Sequence, residues 1–205
     1  MKFGTNSLTK NGRLDNSVIR RIAATTSLLY SLNKKPLIVT SGAVAAGMEL
    51  NGLEEKPSET EQLQLLSGEG VRLLWDLYAQ AFARYGFSTL YIPITPHNIE
   101  TEEERENIRK IVEEGWKNKK ITIWNTNDSL TNEQLAKRRR GFYDNDPLAV
   151  ELAKIIKADL LMFFTDHGNM GTGGGSSKSR AIEEARKSGI KVEVKSINYL
   201  DILLS

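Results

Sequence analysis

The sequence predicts an α/β fold, a three-layer α/β/α sandwich with a mainly parallel central sheet. Helix-type and strand-type segments alternate along the 205 residues, which is the order that parallel sheets require. The strand-type segments are short apolar runs, as expected for strands buried on both faces, and we find no hairpin signal. With 40% hydrophobic residues, the chain is long enough for one sizeable core, so we expect a single domain over residues 1–205.

The first half of the chain predicts two helices and one strand. Residues 16–33 carry apolar side chains at helical spacing. Residues 37–40, Leu-Ile-Val-Thr, predict a buried strand, and small residues follow it from Ser41 to Gly47. The pattern from about 59 to 85 is helical again. We expect the small residues of the stretch Ser67-Gly68-Glu69-Gly70 to interrupt or kink that helix.

The middle of the chain predicts two strands with a helix between them. Residues 87–94 form the first of these strands, and residues 120–124 form the second, which leads into the polar stretch Asn125–Asp128. Residues 101–117 form a charged amphipathic helix. Four of its side chains are expected to face the core: Ile108, Ile111, Val112 and Trp116.

The last predicted elements surround a stretch rich in acidic and amide side chains. Asp144–Asp146 precede Pro147, which suits the first position of a helix, so N-capping by these side chains is one interpretation. Residues 160–164 predict a central parallel strand, and the acid Asp166 follows it closely. Residues 177–188 predict a helix.

The amino-acid composition excludes several kinds of site and disfavours several partners. The chain has 28 basic and 26 acidic residues, a formal charge of +2, so nucleic acid is not an expected partner. The basic run Lys137–Arg140 is the local exception, and we interpret it as a solvated loop. The absence of cysteine excludes disulfides, thiolate catalysis and Cys-based zinc sites. His97 and His167 lie far apart, without metal-ligand spacing, so we expect no protein-held metal site. No signal peptide or membrane-spanning run is apparent, and we expect a cytoplasmic protein without a membrane partner.

Small or acidic groups follow several predicted strands. They are Ser41-Gly42, Asn125–Asp128, Asp144–Asp146 and Asp166. Ligands bind at the carboxyl ends of the strands in open parallel sheets, so these groups are expected at one edge. Each could be a helix cap when taken alone. Together with the cations Lys2 and Lys178, they suit phosphoryl transfer, in which positioning and charge stabilisation provide most of the rate.

A glycine cluster, Gly171–Gly175, follows the last predicted strand and precedes a helix. Such a turn can direct several N–H groups at phosphate oxygens. Glycine and serine clusters are also common as flexible connectors, and both interpretations stay open for the cluster alone. Lys178 favours the first, because a cation at a helix start opposes the helix dipole unless an anion lies between them.

Five stretches, taken in order, resemble the amino acid kinase family, and within it the glutamate 5-kinases. They are Lys2–Thr5, Val39–Gly47, Asn125–Asp128, Asp144–Asp146, and Gly171–Gly174 with Lys178. The resemblance implies phosphorylation of the γ-carboxylate of glutamate by ATP with Mg²⁺, the first step towards proline. It also implies an amino acid kinase-like fold, with glutamate and nucleotide as ligands, and we expect a homo-oligomer. The acceptor carboxylate is already ionised at neutral pH, so no general base is required.

The resemblance also implies roles for individual residues. Lys2 and Lys178 would neutralise the transferring phosphoryl group, and Asp146 would orient these lysines. The residues that would hold glutamate are Ser41, Gly42, Asn125, Asp128, Asp144 and Asn145. The residues that would bind the nucleotide are Lys2, Gly4, Thr5, Thr165, Asp166, Gly171, Thr172, Gly173, Gly174 and Lys178.

Two departures from the family pattern lead to further expectations. Only Met1 precedes Lys2, so we expect the first strand to be nearly missing and Lys2 to lie near a mobile terminus. Only residues 167–170 separate Asp166 from the glycine cluster, so the nucleotide-binding half is truncated. Three hypotheses therefore remain. The first is an active small kinase that acts on glutamate, with a family member that acts on a different carboxylate or phosphate as a close variant. The second is a catalytically silent relative that binds an amino acid or oligomerises, and the third is an unrelated α/β nucleotide-binding protein.

Overall fold

The computed structural model of the protein describes residues 1–130, 144–166 and 175–204. Their main feature is a six-stranded sheet with the order β5-β6-β4-β1-β7-β8, in which all neighbouring strands are parallel. The strands of this sheet are β1 (Lys2–Phe3), β4 (Ile38–Thr40), β5 (Ser88–Ile94), β6 (Lys120–Thr126), β7 (Leu160–Thr165) and β8 (Lys191–Ser196). The parallel sheet that the sequence predicts is confirmed.

Helices cover both faces of the sheet. They are α1 (Thr5–Leu8), α2 (Asn16–Ser31), α3 (Ala43–Leu50), α4 (Thr60–Ala83), α5 (Glu102–Lys117), α6 (Asn145–Ile155), α7 (Gly175–Lys187) and α8 (Tyr199–Leu204), with a 3₁₀ turn at Pro96–Ile99. On one face, Trp124 and Phe163 pack with apolar residues of α5, α6 and α7. On the other, Phe3 and Ile123 pack with α2, α3, α4 and α8. This is the predicted three-layer arrangement.

The end of the described chain adds elements that the sequence patterns above did not predict. Strand β8 pairs with β7 at one side of the sheet, and α8 buries Leu200 against the α2 layer. None of the described helices combines the length and the apolar character needed to cross a lipid bilayer.

The expectation for the first strand was wrong in part. Strand β1 has only two residues, as predicted, but it lies in the middle of the sheet between β4 and β7. Lys2 is only 4% exposed and does not hang near a mobile terminus. Because side chains alternate along a strand, Phe3 faces the α2 layer and Lys2 faces the α6 layer.

The expectation that the chain forms no hairpin was also wrong. Strands β2 (Thr9–Lys10) and β3 (Arg13–Leu14) pair antiparallel around a turn at Asn11 and Gly12, whose φ angles are 53° and 76°. An Asn-Gly pair with two positive φ angles is the usual two-residue hairpin turn, so the signal was present in the sequence. The Leu14 N–H donates to Glu49 Oε2 at 3.0 Å, which attaches this hairpin to α3.

Helix α4 is continuous over 24 residues, contrary to the predicted interruption. Its glycines instead allow α3 to pack closely. A Cβ atom on Gly70 would lie 2.0 Å from the Ala43 carbonyl oxygen and 2.2 Å from the Gly47 backbone nitrogen. A Cβ on Gly47 would lie 2.0 Å from the Leu66 carbonyl oxygen. The two helices therefore touch backbone to backbone, which fixes the start of α3.

Two smaller predictions also differ from the structure. Ile111 was expected to face the core, but it is 41% exposed, because the buried side of α5 is formed by Ile108, Val112 and Gly115, with Trp116 partly buried. Pro147 is the third residue of α6 rather than the first, since the helix begins at Asn145. The basic run Lys137–Arg140 lies outside the described residues.

Candidate active site

A cavity of about 610 Å³ opens at the carboxyl edge of β4 and β6. Six of the residues predicted to form a site line it: Thr5, Ser41, Gly42, Asp128, Asp144 and Asn145. They come from four separate stretches of sequence and meet here because the carboxyl ends of parallel strands share one edge. Gly42 ends the β4 turn with φ of 104°, a left-handed conformation that disfavours a side chain, and α3 begins at the next residue.

Asn145 lines the cavity and connects three elements of the fold. Its Oδ1 accepts from the Thr126 N–H at 3.0 Å, and its Nδ2 donates to Ser41 Oγ at 3.2 Å. Since Ser41 Oγ accepts this hydrogen bond, its own hydroxyl proton is available to an acceptor in the cavity. The arrangement therefore offers a fixed hydroxyl donor, which suits recognition of a carboxylate or phosphate oxygen.

Asp128 and Asp144 provide a region of negative charge on the same cavity. Burial raises the pKa of Asp128 to about 6, the charge of Asp144 adds to the rise, and a 2.5 Å hydrogen bond from the Thr126 hydroxyl opposes it. Asp144 Oδ2 accepts from Ser177 Oγ at 3.0 Å. Two carboxylates that lack a neutralising salt bridge among the described residues suit a cationic ligand group such as an ammonium.

The capping interpretation of Asp144–Asp146 does not describe what these side chains do. Asp144 is the N-cap residue of α6, yet its side chain makes no capping hydrogen bond. The side chains of all three residues instead reach other elements, to Ser177, to Thr126 and Ser41, and to Lys2. The start of α6 therefore joins several parts of the site together.

Lys2 and Asp146 form a buried ion pair beside this cavity, although neither lines it. Asp146 is 5% exposed, and its Oδ1, which contacts Lys2 Nζ, makes no directed hydrogen bond within the described part of the chain. A Cβ on Gly4 would lie 3.5 Å from Lys2 Nζ, so this backbone passes close to the ammonium. Removal of two charges from water is costly, and a buried pair of this kind is weak evidence for stability alone.

The remaining predicted residues lie around this centre. Thr165 is buried at the end of β7, and Asp166 Oδ1 lies 3.1 Å from Ser7 Oγ. Lys178 is half-buried on the first turns of α7, which the hydrogen bond between Ser177 and Asp144 holds beside the start of α6. Gly171, Thr172, Gly173 and Gly174 lie outside the described residues, as does His167.

Asn125 takes a different position from the one predicted for a ligand residue. It is buried and does not line the cavity, and its Oδ1 has no hydrogen-bond partner among residues that the structure describes. Its side chain interacts with the Tyr91 hydroxyl. Burial raises the pKa of Tyr91 to about 12, and the hydrogen bond with Asn125 opposes that rise. The role of Asn125 towards a ligand stays a prediction.

Several cavity residues were missed in the sequence. Thr9 and Gly12 reach the cavity from the β2–β3 hairpin, and the Asn-Gly turn could have indicated them. Lys56 and Gln64 reach it from the connection between α3 and α4 and from the first half of α4. Only the tertiary packing of α3 on α4 brings them to the cavity, so no local pattern marks them.

No group of three or more acidic or histidine side chains is placed to hold a metal ion within residues 1–130, 144–166 and 175–204. Mg²⁺ that arrives with a nucleotide keeps several water ligands and is held largely by phosphate oxygens, so it needs few protein ligands.

Comparison with known proteins gives a family match over most of the chain. The sequence profile of the amino acid kinase family matches residues 1–184. The glutamate 5-kinase of Ligilactobacillus salivarius is 34% identical over 167 residues, which are 81% of this chain and 62% of that protein. The glutamate 5-kinase of Aquifex aeolicus is 33% identical over 172 residues, 82% of this chain and 47% of that protein. The chain thus spans about half the length of the curated relatives it matches.

Solved structures agree in fold. An isopentenyl phosphate kinase from T. acidophilum, solved as a product complex, superposes with a TM-score of 0.64 at 15% identity, covering 98% of this chain and 91% of that one. An aspartate kinase from Synechocystis gives a TM-score of 0.59 at 16% identity, covering 96% of this chain and 37% of that one. At these identities the likeness shows a shared fold alone.

Proposed function

The chain belongs to the amino acid kinase family, and from this premise we propose that it transfers the γ-phosphoryl group of ATP to the γ-carboxylate of L-glutamate. The family match and the glutamate 5-kinase relatives support the reaction class. The product would be glutamyl 5-phosphate, the first intermediate on the route to proline. We also propose that residues 1–205 form a single kinase-like domain that works in the cytoplasm as a homo-oligomer.

One observation carries the choice of an amino acid as acceptor. The 610 Å³ cavity combines the hydroxyl of Ser41, oriented by Asn145, with the acidic pair Asp128 and Asp144. Its volume falls within the range of about 300–1,000 Å³ that is typical of small-molecule sites. A ligand with an ammonium group at one place and a carboxylate at another matches both the acidic pair and the hydroxyl donor.

The chemical step needs positioning and charge neutralisation rather than a base. A γ-carboxylate oxygen of glutamate attacks the γ-phosphorus, an oxygen–phosphorus bond forms, and the bond to the departing ADP breaks. The carboxylate is ionised at neutral pH, so no proton has to be removed. Lys2, whose ammonium Asp146 holds, and Lys178 on α7 would neutralise the charge of the transferring group.

Nucleotide binding would rest mainly on the phosphates. Backbone groups of Gly4, Thr5 and Gly171–Gly174 would bind phosphate oxygens at a helix start, and Thr165 and Asp166 would border the nucleotide. Recognition of a purine needs apolar walls, and residues 167–170 are too few to build them. We therefore expect ATP and GTP to bind within about tenfold of each other, a difference of roughly 1.4 kcal/mol.

The test is release of ADP with and without glutamate, measured by a coupled assay and combined with calorimetry of each ligand alone. Glutamate-dependent ADP release is the expected result, with nucleotide affinity that falls as salt rises. Binding of glutamate without any ADP release would instead identify a catalytically silent relative. Tight, salt-insensitive ATP binding that rejects GTP would contradict the phosphate-based account of the nucleotide site.

A further inference from the structure

The charged side chains that line the cavity come from separate parts of the chain. Asp128 and Asp144 lie where β6 ends and α6 begins. Lys56 lies in the irregular connection between α3 and α4 and is the single cationic side chain among the described residues that line the cavity. A cavity lined by both anions and a cation is suited to a dipolar ligand.

Lys56 and Asp128 are close enough to influence each other. The positive charge of Lys56 lowers the pKa of Asp128, against the larger effect of burial. Lys56 is an exposed residue, and it belongs to none of the ion pairs formed by the described parts of the chain. Within residues 1–130, 144–166 and 175–204, no carboxylate is ion-paired with its ammonium, so Lys56 can contribute its charge to a ligand in the cavity.

An α-amino acid carries the two opposite charges that this arrangement could bind. Its ammonium and α-carboxylate are attached to one carbon atom, so a site that binds both needs an anion and a cation near each other. We propose that Lys56 is the specificity-determining residue that binds the α-carboxylate of the acceptor, while Asp128 binds the ammonium. This inference rests on the proposed function. The γ-carboxylate then remains as the group directed at Ser41 and the phosphoryl donor.

Three ligands separate the two ends of the acceptor. Glutamate has both groups, 4-aminobutyrate lacks the α-carboxylate, and glutarate lacks the ammonium. In calorimetric titrations, Lys56→Met should weaken the binding of glutamate and of glutarate by about tenfold, equivalent to about 1.4 kcal/mol. Its affinity for 4-aminobutyrate should stay within about twofold of wild type. Asp128→Asn should show the complementary pattern, with larger losses for glutamate and 4-aminobutyrate than for glutarate.

A matched control separates a local contact from a general effect of charge. Lys110→Met removes an equally positive, largely exposed lysine from α5, and it should leave all three affinities unchanged. Salt offers a second readout, because the interaction of an exposed ammonium is screened over about 10 Å at 0.1 M. Raising the salt concentration should weaken glutamate binding by wild type more than by Lys56→Met.

The possible outcomes are distinct. If Lys56→Met lost the same affinity for all three ligands, or lost affinity for none of them, the role of Lys56 would be overturned. Failure of the wild-type protein to bind any of the three ligands would overturn the proposed function, and the Lys56 proposal with it. Wild-type binding that shows the predicted Lys56 pattern, but no ADP release, would support the binding role and overturn the kinase activity alone.

Discussion

Replacement of Gly70 by alanine tests the close packing of α3 on α4. The added Cβ would lie 2.0 Å from the Ala43 carbonyl oxygen and 2.2 Å from the Gly47 nitrogen, whereas ordinary contacts begin at 3.4 Å. Both obstacles are backbone atoms, so the helices have to separate by roughly 1 Å or more. Overpacking of this kind typically costs about 1–3 kcal/mol, and rigid obstacles favour the upper end.

Helix propensity opposes that cost, because alanine is about 1 kcal/mol better than glycine within a helix. We therefore expect Gly70→Ala to lose about 2 kcal/mol of unfolding free energy. With a urea dependence of about 1–3 kcal/mol per molar, the midpoint of urea unfolding should fall by about 0.7–2 M. Circular dichroism or tryptophan fluorescence measures that midpoint.

Gly68→Ala is the matched control on the same helix. Its Cβ would meet Ser129 Oγ at 3.1 Å, and this hydroxyl is the end of a side chain that can rotate away. This variant gains the same helix propensity without the backbone clash, so it should be up to about 1 kcal/mol more stable than wild type. The reasoning is refuted if Gly70→Ala proves as stable as Gly68→Ala.

Three further predictions concern the site. Asp146→Asn should lower kcat far more than it changes the KM for glutamate, and it should cost about 3–5 kcal/mol of stability because Lys2 stays buried without a counter-charge. Asn145→Ala should weaken glutamate binding, measured by calorimetry, by about 1–3 kcal/mol, because the Ser41 hydroxyl loses the amide that orients it. Asp128→Asn should be more stable than wild type at pH 7 and equally stable below about pH 4, as urea unfolding at the two pH values can show.

The sign of the last prediction follows from the raised pKa of Asp128, which is about 6 in the folded protein. The folded protein binds the proton more tightly than the unfolded chain, so wild-type stability falls as pH rises from about 4 to 6. Asparagine resembles the protonated acid and avoids that loss. A variant less stable than wild type at pH 7 would show that the charged Asp128 stabilises the fold.

The predictions for Asp146→Asn and Asn145→Ala can each be contradicted by one result. Unchanged turnover in Asp146→Asn would make its pair with Lys2 a structural feature only. Nucleotide affinity that falls with glutamate affinity in Asn145→Ala would mean that the start of α6 supports the whole site rather than the acceptor pocket.

Much of the site could be predicted because its residues end strands or begin helices. Ser41, Asp128 and Asn145 are separated in sequence, but parallel strands bring their carboxyl ends to one edge, and the structure unites them in one cavity. Lys56 could not be predicted this way. It lies in an irregular connection, where neither periodicity nor a strand end indicates the direction of a side chain.

The errors in the fold have separate physical causes. Glycine lowers helix propensity, so local reasoning predicts a break near Gly70, yet contact with α3 requires glycine there and the helix continues. Strand β1 was expected to be very short, but no local pattern shows its place in the middle of the sheet, which depends on pairing with β4 and β7. The hairpin at Asn11 and Gly12 is different, since its signal was present and was overlooked.

The shortness of β1 also limits which changes the protein can tolerate. Strands β5, β6, β7 and β8 have six or seven residues, whereas β4 has three and β1 has two, so few backbone hydrogen bonds join the two halves of the sheet there. Phe3 stacks on Phe164 with ring centroids 4.7 Å apart, and Lys2 pairs with Asp146 on the other face. Phe3 therefore attaches β1 to β7, and Lys2 brings a charge to the site from the same short strand. A substitution at Lys2 therefore has two effects, because it changes the chemistry of the site and also leaves Asp146 buried without its counter-charge.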